Sequence, residues 1–81
     1  MIVETPHGGR VALTGATRFV VVAELLSPIG TLDARPHVER RTFHLGAARD
    51  HVEEKGRTVT YADGARKVRT IIDLRTRSVV P

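Results

Sequence analysis

Several stretches of this chain alternate apolar and polar residues, which is the period of a strand with one buried face. Ile2–Thr5 is a short strand candidate, ended by Pro6-His7-Gly8-Gly9, whose glycines supply positive φ for a turn. Arg10–Thr14 places Val11 and Leu13 on one face and reads as the return strand, broken by Gly15-Ala16. Thr17–Leu26 is the most apolar segment. A helix is one reading of it, but Phe19-Val20-Val21-Val22 would lose χ1 freedom in a helix, so the preferred reading is a strand. Ser27-Pro28-Ile29-Gly30 opens a loop expected to run to Pro36. Glu39–His44 is a further strand candidate, with Phe43 pointing in and Arg40, Thr42 and His44 pointing out.

The period changes once. Leu45, Ala48 and Val52 fall at i, i+3 and i+7 in an otherwise charged segment, which predicts one helix over Leu45–Lys55 with Gly56 as its left-handed C-terminal cap. Beyond it, Asp63-Gly64 predicts a two-residue primed hairpin turn. A register centred there pairs Thr60 with Lys67, Val59 with Val68 and Thr58 with Arg69. Val68, Thr70, Ile72 and Leu74 then share one face, and Lys67, Arg69, Ile71, Asp73 and Arg75 the other. The expectation is an α+β fold over residues 1–81 as a single domain. About six short strands, in the order β-β-β-β-α-β-β, form a mainly antiparallel sheet with one helix.

Such a sheet would be about 29 Å wide at ~4.8 Å per strand, and one helix roughly 10 Å across cannot cover a face of it. Yet Thr17–Leu26 is apolar on both sides: Phe19, Val21 and Leu25 on one, Val20, Val22 and Leu26 on the other. Either the sheet curls over its helix or a second subunit covers the exposed face. Val20, Val22 and Leu26 are therefore candidate self-association residues, giving a homo-oligomer, most simply a dimer.

Composition narrows the classes. The chain has 81 residues, no cysteine and three aromatic residues, so disulfides and thiolate metal sites are excluded and stacking groups are few. Met1–Thr5 has neither the basic nor the apolar region of a signal peptide, and the longest apolar run, Phe19–Ala23, is too short for a membrane helix. The expectation is a soluble cytoplasmic protein with no membrane partner. Residues 1–56 hold seven basic and seven acidic side chains, and residues 57–81 six basic against two acidic. The net charge of +4 thus falls in the last 25 residues. Arg66, Lys67, Arg69, Arg75 and Arg77, with Arg40 and Arg41 if their strand is adjacent, are candidates for contact with a nucleic acid or another acidic partner.

Catalytic patterns are sparse. Ser27 and Ser78 lie in no nucleophile elbow, and no phosphate loop is present. His37, His44 and His51 are spaced by seven, unlike the short spacings of zinc sites, so neither a metal nor a cofactor is expected. The sequence favours a non-enzymatic binding or accessory module that self-associates or binds a partner protein. The alternative is a nucleic-acid-binding module using Lys67, Arg69 and Arg75. A more remote one is a small ribonuclease-type enzyme built on His44 with Arg40, Arg69 or Tyr61.

Overall fold

The apolar segment Phe19–Leu26 is a strand, and its residues from Phe19 to Glu24 are all buried. A strand buried on both faces needs cover on both, and the chain supplies it with two different elements. The structure is a computed structural model that describes residues 1–14 and 17–81. The break expected at Gly15-Ala16 lies outside the described residues.

The elements are β1 (Ile2–Glu4), β2 (Arg10–Ala12), β3 (Phe19–Leu26), β4 (Leu32–Thr42), α1 (Leu45–Lys55), β5 (Thr58–Thr60), β6 (Arg66–Asp73) and β7 (Ser78–Val80). The fold is α+β, and among the described residues it has one helix, antiparallel pairing throughout and seven strands where about six were expected. The strands do not form one sheet. A five-stranded sheet runs β4-β3-β6-β5, with β7 also on β6, while β1 and β2 form a separate two-stranded sheet.

That separation answers the covering problem. The β1–β2 hairpin lies over one face, where Val3, Val11 and Leu13 pack with Val20, Val22 and Ile72. The helix lies over the other, where Ala48 and Val52 pack with Phe19, Val21 and Ile71, and Leu45 and Val80 close the margin. The predicted helical stripe Leu45, Ala48 and Val52 is the stripe that packs. Val20, Val22 and Leu26, assigned from sequence to self-association, each have 0% exposure within this one chain. Neither curling nor a second subunit is needed to bury them.

The hairpin is also pinned by polar contacts. Thr5 Oγ1 donates to Glu24 Oε2 at 2.6 Å and accepts the Gly9 N–H at 2.9 Å. Glu24 is fully buried and its other oxygen has no partner among the described residues. The approach is close at Gly9, where a Cβ would stand 2.6 Å from Pro36 Cγ.

Four local expectations are corrected. The predicted loop through Pro36 is strand, because β4 begins at Leu32. Its pairing with β3 shifts register three times, which lets an edge strand hold a proline that would break a central one. Phe43 points out, at 61% exposure. The strand has ended at Thr42, whose Oγ1 accepts the His44 N–H in a bend, so the alternation that would turn Phe43 inward has stopped. The β5–β6 register is one residue away from that predicted: Thr60 pairs Arg66, Val59 pairs Lys67 and Thr58 pairs Val68. The turn is the longer bulged form, with Tyr61 N–H bonded to Ala65 O and Gly64 N–H to Tyr61 O. Asp63 Oδ1 accepts the Ala65 N–H, and only Gly64 of the pair has positive φ, at 88°. Gly56 caps the helix with positive φ, 95°, and its N–H bonds Val52 O, but ψ 132° takes it out of the left-handed helical region that was expected. The helix is the only one among the described residues, and none there is long and apolar enough to cross a membrane.

Two outcomes test this packing. Gly64→Val should cost about 1–2 kcal/mol, because a β-branched residue resists positive φ, and thermal melting reads it. Thr5→Val should cost about 1–3 kcal/mol by removing the one hydrogen-bond partner of a buried carboxyl, whereas Thr31→Val, on the exposed β3–β4 turn, should melt near the wild-type temperature.

Candidate functional site

The predicted basic face is divided by the fold, and its central member is internal. Lys67, Arg69, Ile71 and Asp73 do share one side of β6, but that side faces the helix. Arg69 is 8% exposed. Its Nε and Nη2 donate to the two oxygens of Glu39 at 2.6 and 3.2 Å, and its Nη1 donates to the carbonyls of Lys55 and Gly56. One guanidinium thus closes the helix C-terminus, where carbonyls lack intrahelical donors, and ties it to edge strand β4.

His51 on the helix lies 3.0 Å from the same carboxylate, and His37 on β4 lies 3.8 Å away. Burial alone would raise the Glu39 carboxyl, but hydrogen bonds from Arg69 and His51, with their charges, outweigh it and lower the pKa from 4.5 to about 2. The junction holds the fold together. Only Arg69 carried a sequence signal, as a cation among the buried residues of β6; Glu39 and His51 lie in segments rich in other charged residues, and nothing local links positions 30 residues apart.

The other predicted cations separate by strand end. Arg66 and Lys67 stand half-buried at the Leu26 end of the sheet, on opposite faces. Arg75 and Arg77 are exposed in the β6–β7 turn at the Phe19 end. Arg40 and Arg41 are exposed where β4 reaches that same end, since Arg41 pairs Val20 and Thr42 pairs Phe19. The structure therefore joins Arg40 and Arg41 to Arg75 and Arg77, and leaves Arg66 and Lys67 at the opposite end.

A fifth arginine, not singled out from sequence, completes the group. Arg18 precedes β3, with its guanidinium 4.9 Å from the Phe19 ring centroid and 3.2 Å from Asp73 Oδ2. The Arg18 hydrogen bond lowers the Asp73 pKa below the ordinary carboxylate value, against the effect of burial. Asp73 also accepts the Arg75 N–H at 2.9 Å, which shapes the turn carrying Arg75 and Arg77. Arg77 itself adopts φ 56°, the only non-glycine residue with positive φ among those described.

This end holds five arginines against the carboxylate of Asp73, equal to the net +4 of the whole chain; the other eight cations and eight carboxylates cancel. Among the described residues no carboxylate pairs with Arg40, Arg41, Arg75 or Arg77. Arg41 Nη1 donates to the Thr14 carbonyl at 3.1 Å, which orients it without neutralising it. The helix also begins here, with no acidic residue in its first turn and no side-chain cap, so its positive dipole end adds to the field. Phe43 stands exposed at the same end.

Other groupings are weaker. A groove of about 320 Å³ is lined by Arg49, Val52, Glu53, Gly56 and Arg57. Glu53 and the negative end of the helix dipole make it a poorer anion site than the strand end. The candidates for acid–base chemistry are only partly brought together: His44 and Arg40 both stand at the Phe19 end, whereas Tyr61 lies in the turn at the Leu26 end and Arg69 is internal. No family model, curated protein or solved structure matches the chain.

The Glu39 junction predicts a pH effect of definite sign. A carboxyl lowered in the folded state stabilises above its unfolded pKa of 4.5, and that stability is lost as pH falls towards 2. The contribution is about 2–3 kcal/mol at neutral pH. Urea unfolding between pH 6 and pH 2 should show that loss, and Glu39→Gln should be less stable at pH 6 and flatter across the range.

Proposed function

We propose that the protein is a small non-enzymatic binding module that contacts nucleic acid through its arginine-bearing strand end. The observation that carries this reading is the placement of Arg18, Arg40, Arg41, Arg75 and Arg77 at one end, four of them exposed and unpaired with any carboxylate among the described residues. Phosphate contact asks for cations spaced along an accessible surface and little else. Arginine suits it better than lysine, because its planar fork bonds two phosphate oxygens at once. Self-association through Val20, Val22 and Leu26 is the less favoured reading, since the chain's own hairpin occupies that surface.

The test is fluorescence anisotropy of labelled mixed-sequence oligonucleotides, 20 nucleotides long, at ~50 mM salt and upward. The wild-type protein should bind, with affinity falling steeply as salt rises. Arg41→Ala, Arg75→Ala and Arg77→Ala combined should remove most of the affinity and lower the salt slope by about 1 per arginine lost. Arg66→Ala with Lys67→Ala, at the opposite end, should change little. Equal losses from the two sets would show that only overall charge matters, and no binding by the wild type would remove the reading.

A further inference from the structure

We infer that the nucleic acid is taken single-stranded and that Phe43 is the ring on which one of its bases stacks; this rests on the arginine-end reading. The chain has three aromatic side chains. Phe19 is 5% exposed, inside the helix-side core. Tyr61 stands at the other end of the sheet, in the β5–β6 turn. Phe43 is 61% exposed and belongs to neither core cluster.

Its position is fixed by the backbone. It lies between the last residue of β4 and the first turn of α1, in the bend that His44 N–H to Thr42 Oγ1 closes at 3.1 Å. The backbone that carries the ring is thus ordered before a base covers it, and a phenyl side chain has only two rotatable bonds to fix. Arg40 and Arg41 precede it by three and two residues, and Arg75 and Arg77 lie across the same end on the far side of β3 and β6. From β4 to β7 is three strand spacings, about 14 Å. Spaced cations beside an exposed ring are the two parts of a single-strand site, one for the backbone and one for a base face.

Duplex readers instead insert an element into a groove. The one helix cannot serve, because one side packs on the sheet and Asp50, Glu53 and Glu54 are exposed on it. A duplex would therefore meet only the arginines, and its paired bases would leave the Phe43 ring unused.

The experiment measures binding of fluorescein-labelled dT10 and of a 20-base-pair duplex by wild-type protein, Phe43→Ala, Phe43→Trp and the Arg75→Ala/Arg77→Ala pair. Melting curves establish that each variant is folded. Phe43→Ala should weaken dT10 binding about tenfold or more and leave duplex binding unchanged. Phe43→Trp should retain dT10 binding, with its indole emission quenched on addition. If Phe43→Ala binds dT10 as wild type while the arginine pair loses it, the stacking inference is wrong and the arginine-end reading survives. Tighter binding of duplex than of dT10 by the wild type would also overturn the inference. If the wild type binds neither probe, both readings fall.

Discussion

The burial of β3 on both faces is the constraint from which the rest of this structure follows. Val20, Val21, Val22 and Ala23 are each at 0% exposure, so neither side of the strand can be left to water. A chain of 81 residues cannot supply two broad covering layers and a wide sheet as well. It uses a two-stranded hairpin for one face and a single helix for the other. That division explains why β1 and β2 stay out of the main sheet: joined to its edge, they would widen the sheet and uncover Val20 and Val22.

Among the polar side chains buried on β3 and β6, Glu24 and Arg69 are each met by a covering element. Glu24 interrupts the hairpin face and is met by Thr5. Arg69 interrupts the helix face and is met by Glu39 and the helix C-terminus. Burying a polar group costs free energy unless it is bonded, so these contacts favour one placement of each cover over its neighbours. A one-residue slip of β6 would carry Arg69 to the hairpin face, among Val3, Val11 and Val22, away from both its carboxylate and the helix carbonyls. Apolar burial supplies the drive to collapse, and these two polar points set the register.

The elements were largely legible because their signals are local. The strand reading of Phe19–Leu26, the helix over Leu45–Lys55 and the sheet faces of β6 follow from spacing alone. What spacing could not show was cover, since nothing in Ile2–Ala12 marks it as a layer rather than a sheet edge. The edge strand through Pro36 was hidden because irregular pairing suspends the rule that proline ends a strand. The turn at Asp63-Gly64 was placed correctly and typed wrongly, and one residue of register followed from that. β7 was missed because it is three residues long and its turn takes positive φ at an arginine instead of a glycine. The basic site was read as centred on residues 66–77, with Arg40 and Arg41 joined to it if their strand lay adjacent. Its members come from three separate segments, and the fold removes Arg69 from it altogether.

With both faces of β3 covered, what the sheet offers a ligand is chiefly its edges and ends. The β4 edge is long, but Pro36 and three register shifts spoil it as a template for another strand. The opposite edge is split between β5 and β7, three residues each. At the Leu26 end the carboxylates of Asp33 and Asp63 stand close in sequence to Arg35, Arg66 and Lys67, so little charge is left over. At the Phe19 end, Asp73 is the one carboxylate paired with an arginine among the described residues, and it is spent on Arg18 and on shaping the turn that presents Arg75 and Arg77. The field there is uncompensated, because that carboxylate serves the geometry of the cations. A fold that uses its faces for stability has left its charge, and its one exposed phenyl ring, where the strands stop.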